Sequence, residues 1–205
     1  MTAMSRHVKT KCDAIMVLKQ FLFNNVLVRL VGIHPETGIA FYVNDGHGGV
    51  IGVQVHPNGT KKQINAGKNN DGYSYVHGKA EYLQFKHAFG SQKAILASHA
   101  VYLAWIGPIE PGMTIDHING CTTDNRYENL RCVSGAINSR DGGFLRKLKK
   151  AGFDPLRIQR AYLLRFFDRM ALLKPAIPQR KYSKLTRTQL RRILFAPEFN
   201  SNFKF

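Results

Sequence analysis

The hydrophobic pattern changes period several times along the chain. From Asp13 to about Leu30, apolar side chains at Ile15, Met16, Leu18, Phe21 and Leu22 have a spacing that suits one helical face, which predicts an N-terminal helix. The longest apolar stretch there, Phe21 to Val31, is interrupted by Asn24, Asn25 and Arg29. Gly38–Val43 and Gly49–Val55 are short, rich in β-branched and aromatic residues, and followed by the turn sequences Asn44-Asp45-Gly46 and Pro57-Asn58-Gly59, so both read as strands. Tyr73–Val76 and Glu81–Lys86, joined through His77-Gly78-Lys79, read as a hairpin or small antiparallel sheet. Ser91 is a suitable cap for a helix running to about Trp105, with Ile95, Leu96, His99, Ala100 and Leu103 on one side and Gly107-Pro108 stopping it. His99, on that apolar face, reads as a structural histidine. In the last third, Asp154-Pro155 predicts a capped helix start. Leu156, Leu163, Phe166, Phe167, Met170 and Leu173 form its apolar stripe, with Arg157, Arg160, Arg165 and Arg169 largely off it and Pro175 at its end. Thr186-x-x-Gln189 is a capping box, flanked by Leu185 and Leu190 as a hydrophobic staple, for a short helix ending before Pro197.

Between these blocks lies a polar segment dense in reactive side chains. Thr114–His117 reads as a strand ending in an acid and an imidazole, Leu130–Val133 as the returning strand, and Ser134 as the cap of a helix carrying Asn138 in its first turns. A carboxylate from Asp116 and an amide oxygen from Asn138 are hard oxygen donors suited to Mg²⁺, which takes few protein ligands and keeps several waters. His117 points to the other face of the strand, so it can act as a base beside a metal without ligating it.

Charge then narrows the partner. The 205 residues hold 30 Lys and Arg against 13 Asp and Glu, a formal excess of +17. Residues 142–205 alone hold 16 against 3, a net of +13, which is too lopsided for a solvated helix face to be the whole account and points to a polyanion. With 44% hydrophobic residues a packed core is expected, and no apolar run approaches the ~18 residues of a membrane helix. No secretory signal pattern opens the chain, and three cysteines without a C-x-x-C pair fit reduced thiols better than disulfides or a four-Cys zinc site.

Segment 98–140 contains Asp116-His117-Ile118-Asn119-Gly120, Asp124-Asn125-Arg126, Glu128-Asn129-Leu130-Arg131 and Ile137-Asn138-Ser139-Arg140 in close order, and it resembles the HNH endonucleases of phages and mobile introns. A weaker likeness extends upstream, where Tyr42-Val43-Asn44, Gly46, Gly49-Val50 and Gly72-Tyr73 resemble the small β module that often precedes HNH. Together with the helix signals and the charge distribution, the resemblance gives an expected α+β fold in three parts. These are an N-terminal helix plus small antiparallel β module (1–90), a ββα-metal core (91–141) and a basic helical DNA-binding tail (142–205). It implies His117 as general base, Asn129 as the residue bracing the loop and orienting the histidine, and Asp116 and Asn138 as ligands of one Mg²⁺ or Mn²⁺. Gly142 stands where the zinc-using toxin branch places a further His, which favours a single Mg²⁺-type site. The module lacks the arginine that commonly follows its glycine, since Val50 is followed by Ile51. Arg131 and Arg140 are candidate phosphate clamps. Lys147, Lys149, Lys150, Arg187, Arg191 and Arg192 are candidate contacts to double-stranded DNA.

The expected activity is hydrolysis of a DNA phosphodiester, nicking by a monomer, with 5′-phosphate and 3′-hydroxyl products. The expected setting is the cytoplasm of a bacterial host, for a gene of phage or mobile-element origin. The competing readings are a non-catalytic nucleic-acid-binding protein and a phage packaging or structural component on the same scaffold.

Overall fold

In the computed structural model, residues 17–66, 72–77, 80–90, 94–173 and 184–196 are described. Asn24 and Asn25 adopt left-handed φ angles of 48° and 63°. Two successive positive-φ residues make the two-residue turn whose twist matches paired strands, and Asn tolerates that conformation better than most residues. The chain therefore reverses between β1 (Gln20–Phe23) and β2 (Val26–Ile33), with Phe23 paired to Val26. The helix expected over 13–30 is a hairpin from Gln20 onward, and its first residues, up to Met16, lie outside the described residues. In β1, Phe21 and Phe23 turn inward while Gln20 and Leu22 are exposed, the period of two that a strand requires.

The meander continues through β3 (Ala40–Val43), β4 (Ile51–Val55) and β5 (Lys61–Asn65), giving an antiparallel sheet in sequence order. Every residue of β3 is buried, because the strand is covered on both faces. Ala40 and Tyr42 pack with Val28 and Val53 on one side, and Phe41 and Val43 face a second core. A second sheet joins β6 (Gly72–His77), β7 (Ala80–Phe85) and the two-residue β8 (Ile95–Leu96). Helix α1 (Ala97–Trp105) follows directly, capped by the extended Leu96; the expected cap Ser91 lies outside the described residues. Ala97, Ala100 and Val101 of α1 close the second core against Phe41, Phe85, Ile115 and Leu130.

Strands β9 (Met113–His117) and β10 (Leu130–Ser134) form an antiparallel pair, and α2 (Gly135–Lys150) follows. The Ser134 hydroxyl accepts a hydrogen bond from the Ile137 amide at 3.4 Å, as its capping position demands. Helix α2 continues past residue 141, so the expected boundary between core and tail falls inside one helix. After a 3₁₀ turn at Pro155–Arg157, with Asp154 accepting from the Leu156 amide, come α3 (Arg160–Leu173) and α4 (Arg187–Phe195). The Thr186–Gln189 capping box is formed on α4. Phe144, Leu145 and Leu148 of α2 share one core with Phe166, Phe167 and Met170 of α3, with Leu190 and Leu194 of α4, and with Ile118 just after β9. Two details of the expected α3 stripe change. Leu156 is 54% exposed, lying in the 3₁₀ turn ahead of the helix. Arg169 is buried and donates to the backbone oxygens of Ile193, at 2.6 Å, and Ala196. A guanidinium at the end of α4 satisfies carbonyls that helical bonding leaves unpaired. The architecture is α+β, with mixed helices and antiparallel sheets.

Candidate active site

Antiparallel pairing sets Arg131 directly across from Asp116, and opposed residues share a sheet face. The Arg131 Nε and Nη2 groups both donate to Asp116 Oδ2, at 2.9 and 2.6 Å. Nη2 also donates to Oδ2 of Asp141, at 2.6 Å. Asp141 is fully buried on α2, and its other oxygen accepts from Arg140 Nε. The Arg131 guanidinium lies 4.7 Å from the centre of the Phe167 ring on α3, so sheet, α2 and α3 all meet at this cation. The sequence suggests Arg131 as a phosphate clamp. Its guanidinium is committed to two buried carboxylates instead, and its side chain is only 15% exposed. Arg140 shares Asp141 through Nε alone.

His117 ends β9 and is buried. Its Nε2 lies 3.0 Å from Oδ1 of Asn125. An amide oxygen can only accept, so Nε2 carries the proton and Nδ1 carries the lone pair. Burial lowers the imidazole pKa below its ordinary value, with Asn125, Asp116 and Asp124 opposing the shift. The ring is thus held as a neutral base near pH 7. On α1, burial and the proximity of His117 also lower the pKa of His99.

The family resemblance gives Asn129 two tasks, bracing the loop and orienting His117. Its side chain does bridge the loop. Oδ1 accepts from the Asn119 amide at 3.1 Å, and Nδ2 donates to Asn119 Oδ1 at 3.0 Å and to the Asp124 carbonyl at 2.8 Å. The orienting bond to His117 comes from Asn125, four residues earlier. The β module supports that loop from outside. The Tyr127 amide donates to the Asp45 carbonyl at 3.1 Å, and His47 Nε2 lies 3.1 Å from Glu128. Gly46, at φ 86°, lies against the Asn125 backbone so closely that a Cβ there would stand 2.4 Å from its carbonyl oxygen. Thr122 is tied to β7 through a 2.6 Å bond to the Glu81 carbonyl.

Asp116, His117 and Asn138 line one cavity of about 250 Å³ between the end of β9 and α2, together with Tyr82, Gly142, Arg146 and Lys149. Asp116 and His117, expected on opposite faces of β9, both reach it because the strand ends there. Among the described residues, Asp116 Oδ1, His117 Nδ1 and the Asn138 amide have no hydrogen-bond partner. One carboxylate oxygen and one amide oxygen on a cavity with room for several waters fit a hard, mostly hydrated divalent cation. No group of three or more His, Cys, Asp or Glu among the described residues is placed to hold a metal, so any metal here relies on waters for much of its shell.

Of the expected DNA contacts, Lys149 lines the cavity and Lys150 is exposed just beyond it. Lys147 is half-buried, with its ammonium 5.6 Å from the Phe144 ring centre and its pKa lowered by that burial. Arg187, Arg191 and Arg192 are exposed on α4, which does not line the cavity. Arg146, not singled out in the sequence, lines it one turn beyond Gly142. Its spacing of i+8 from Asn138 on one helix is the signal that could have found it.

No helix among the described residues is long and apolar enough to cross a membrane. No curated protein and no solved structure matches the chain significantly. Residues 96–140 match the family model described as HNH endonuclease. That span runs from the last residue of β8 through α1, β9 and β10 to the first turns of α2, and includes Asp116, His117, Asn125, Asn129 and Asn138. The segment from β9 through β10 to the start of α2, which carries Asp116, His117 and Asn138, is thus similar to an HNH endonuclease domain.

Proposed function

We propose that the chain is a metal-dependent endonuclease that hydrolyses phosphodiesters of double-stranded DNA. The observation that carries this reading is the single cavity on which an unpaired carboxylate oxygen, an unpaired amide and a neutral, oriented imidazole converge. Asp116 Oδ1 and Asn138 would hold one Mg²⁺ or Mn²⁺. When bound, that cation supplies Lewis-acid stabilisation of charge on the scissile phosphate and on the departing 3′ oxygen. His117 accepts a proton at Nδ1 from the attacking water, while the Asn125 acceptor keeps Nε2 protonated and the ring fixed. Arg146, Lys149 and Lys150 on α2 would take the phosphates flanking the cut, with Arg187, Arg191 and Arg192 gripping the backbone farther along. Arg140 retains amino groups that Asp141 does not use, and these can reach a phosphate.

One base and one metal give one strand cut per site, so the chain would nick as a monomer, leaving 5′-phosphate and 3′-hydroxyl ends. The test is relaxation of supercoiled plasmid with Mg²⁺, Mn²⁺ or EDTA, followed by ligation of the products. Metal-dependent nicks that DNA ligase reseals are expected. Cutting that persists in EDTA, or nicks that need end repair before sealing, would overturn the mechanism. A chain that binds plasmid and leaves it intact with either metal would overturn the nuclease reading.

A further inference from the structure

The strongest unexplained feature beside the cavity is Asp141. A carboxylate that is fully buried on a helix is costly unless its charge is met, and two arginines meet it here. One of them, Arg131, is the same cation that grips Oδ2 of Asp116. Arg131 has two opposing effects on Asp116. Its paired Nε and Nη2 bonds fix the rotamer of the carboxylate and leave only Oδ1 open. Its full positive charge, 2.6 Å from Oδ2, also cancels the anion that a divalent cation needs.

Asp141 removes the second effect without the first. Its Oδ2 lies 2.6 Å from the same Nη2, so the positive charge of Arg131 is shared with a carboxylate that lines no part of the cavity. Resting on the proposed metal reading, we propose that Asp141 is a charge-balancing positioning residue. It anchors Arg131 and neutralises it, so that Asp116 is held rigidly yet remains an anionic ligand. Arg140, 22% exposed, balances Asp141 from the solvent side and keeps the whole cluster neutral. Phe167 closes over Arg131 from α3, so the anchor is also where the C-terminal helices fix the site.

The assignment makes a charge-specific prediction that a purely structural role does not. In Asp141→Asn, which keeps the shape of the side chain, Arg131 turns its unshared charge on Asp116. Mn²⁺ affinity of the full-length protein without DNA, read by electron paramagnetic resonance of free Mn²⁺, should fall about 10- to 100-fold, the usual effect of removing a group that supports a metal ligand. In the double variant Arg131→Met/Asp141→Asn the two charges disappear together. Mn²⁺ affinity should return to within about 3-fold of wild type, while cleavage stays at least about 10-fold slow because Oδ2 is no longer held. Thermal melts verify that each variant is folded. If the double variant does not fold, Arg131→Lys/Asp141→Asn supplies the comparison: it keeps the unshared charge and should bind as weakly as Asp141→Asn. Wild-type Mn²⁺ binding by folded Asp141→Asn would overturn this assignment alone. So would a folded double variant that binds no better than the single one. A wild-type protein that binds no Mn²⁺ would overturn the metal reading, and this assignment with it.

Discussion

Gly46→Ala is the sharpest probe of how the β module supports the loop that carries Asn125. The residue sits at φ 86°, where an L side chain costs about 1–2 kcal/mol. Its new Cβ would lie 2.4 Å from the Asn125 carbonyl oxygen, 2.7 Å from the carbonyl carbon and 2.9 Å from Arg126 Cα. All three are backbone atoms, so no flexible side chain can swing aside. Restoring an ordinary separation of about 3.4 Å requires the two loops to part by about 1 Å. The displaced backbone belongs to the residue whose side chain holds Nε2 of His117 at 3.0 Å. A misplacement of about 1 Å in a catalytic constellation can cost about 10²-fold in rate. Single-turnover nicking by Gly46→Ala should therefore fall about 10²-fold, with DNA affinity and Mn²⁺ affinity within about 3-fold of wild type. Urea denaturation should show a loss of at least about 1–2 kcal/mol from the backbone conformation alone. A folded variant that nicks at the wild-type rate would refute the idea that the β module positions His117 through Asn125.

Because burial lowers the His117 pKa, the nicking rate should rise with pH through a value below 6.5 and be level at neutral pH; a rate still rising about tenfold per unit above pH 7 contradicts a neutral imidazole base. His99 and His117 both have lowered pKa values in the fold, so below about pH 6.5 the unfolded chain binds more protons than the native one. Stability should therefore be full above that pH and decline as pH falls toward the folded pKa values, a decline that His99→Gln reduces in urea titrations at about pH 5 and pH 7. Removing residues 142–205 should unfold the nuclease unit, since it cuts α2 in the middle and strips Ile118 of Phe144, Leu145 and Leu148; a folded 1–141 fragment by circular dichroism would contradict the shared core. Replacing Arg187, Arg191 and Arg192 with Gln should lower the slope of log DNA affinity against log salt by about 0.9 for each phosphate no longer neutralised, and an unchanged slope would remove α4 from the interface.

The residues proposed to do the chemistry are more legible in the sequence than the framework around them. Asp116, His117 and Asn138 lie next to strong local signals, a strand end and a capped helix, so their convergence can be anticipated. The first hairpin cannot be, because Phe21 and Leu22 satisfy helical spacing as well as strand spacing. What separates the two is that Asn24 and Asn25 both take positive φ. Strand β5 carries little apolar signal, since Lys61, Lys62 and Gln63 are exposed on an edge. Asn125 and Asn129 occupy the same loop with the same chemistry, and which amide faces the imidazole depends on the loop's path rather than its composition. Asp141 sits in a strongly basic stretch and looks like a surface acid; only the cross-strand placement of Arg131 reveals why it is buried. The expected division at residue 141 follows the change in charge density, but charge marks the surface of a helix and not its end. Phe166, Phe167 and Met170 of the expected tail share one core with Phe144, Leu145 and Leu148 of α2, the helix that also carries Asn138.

The central claim is that His117 takes the proton from the attacking water while Asn138 helps hold the metal. The most direct test is single-turnover nicking of supercoiled plasmid in Mg²⁺ by wild type, His117→Ala and Asn138→Ala, with DNA binding measured on the same preparations. The account predicts normal DNA binding by all three. It predicts a loss of about 10²–10⁴-fold in rate for His117→Ala, the usual contribution of a general base, and a loss for Asn138→Ala that excess Mn²⁺ partly restores. Nicking by folded His117→Ala at the wild-type rate would contradict it.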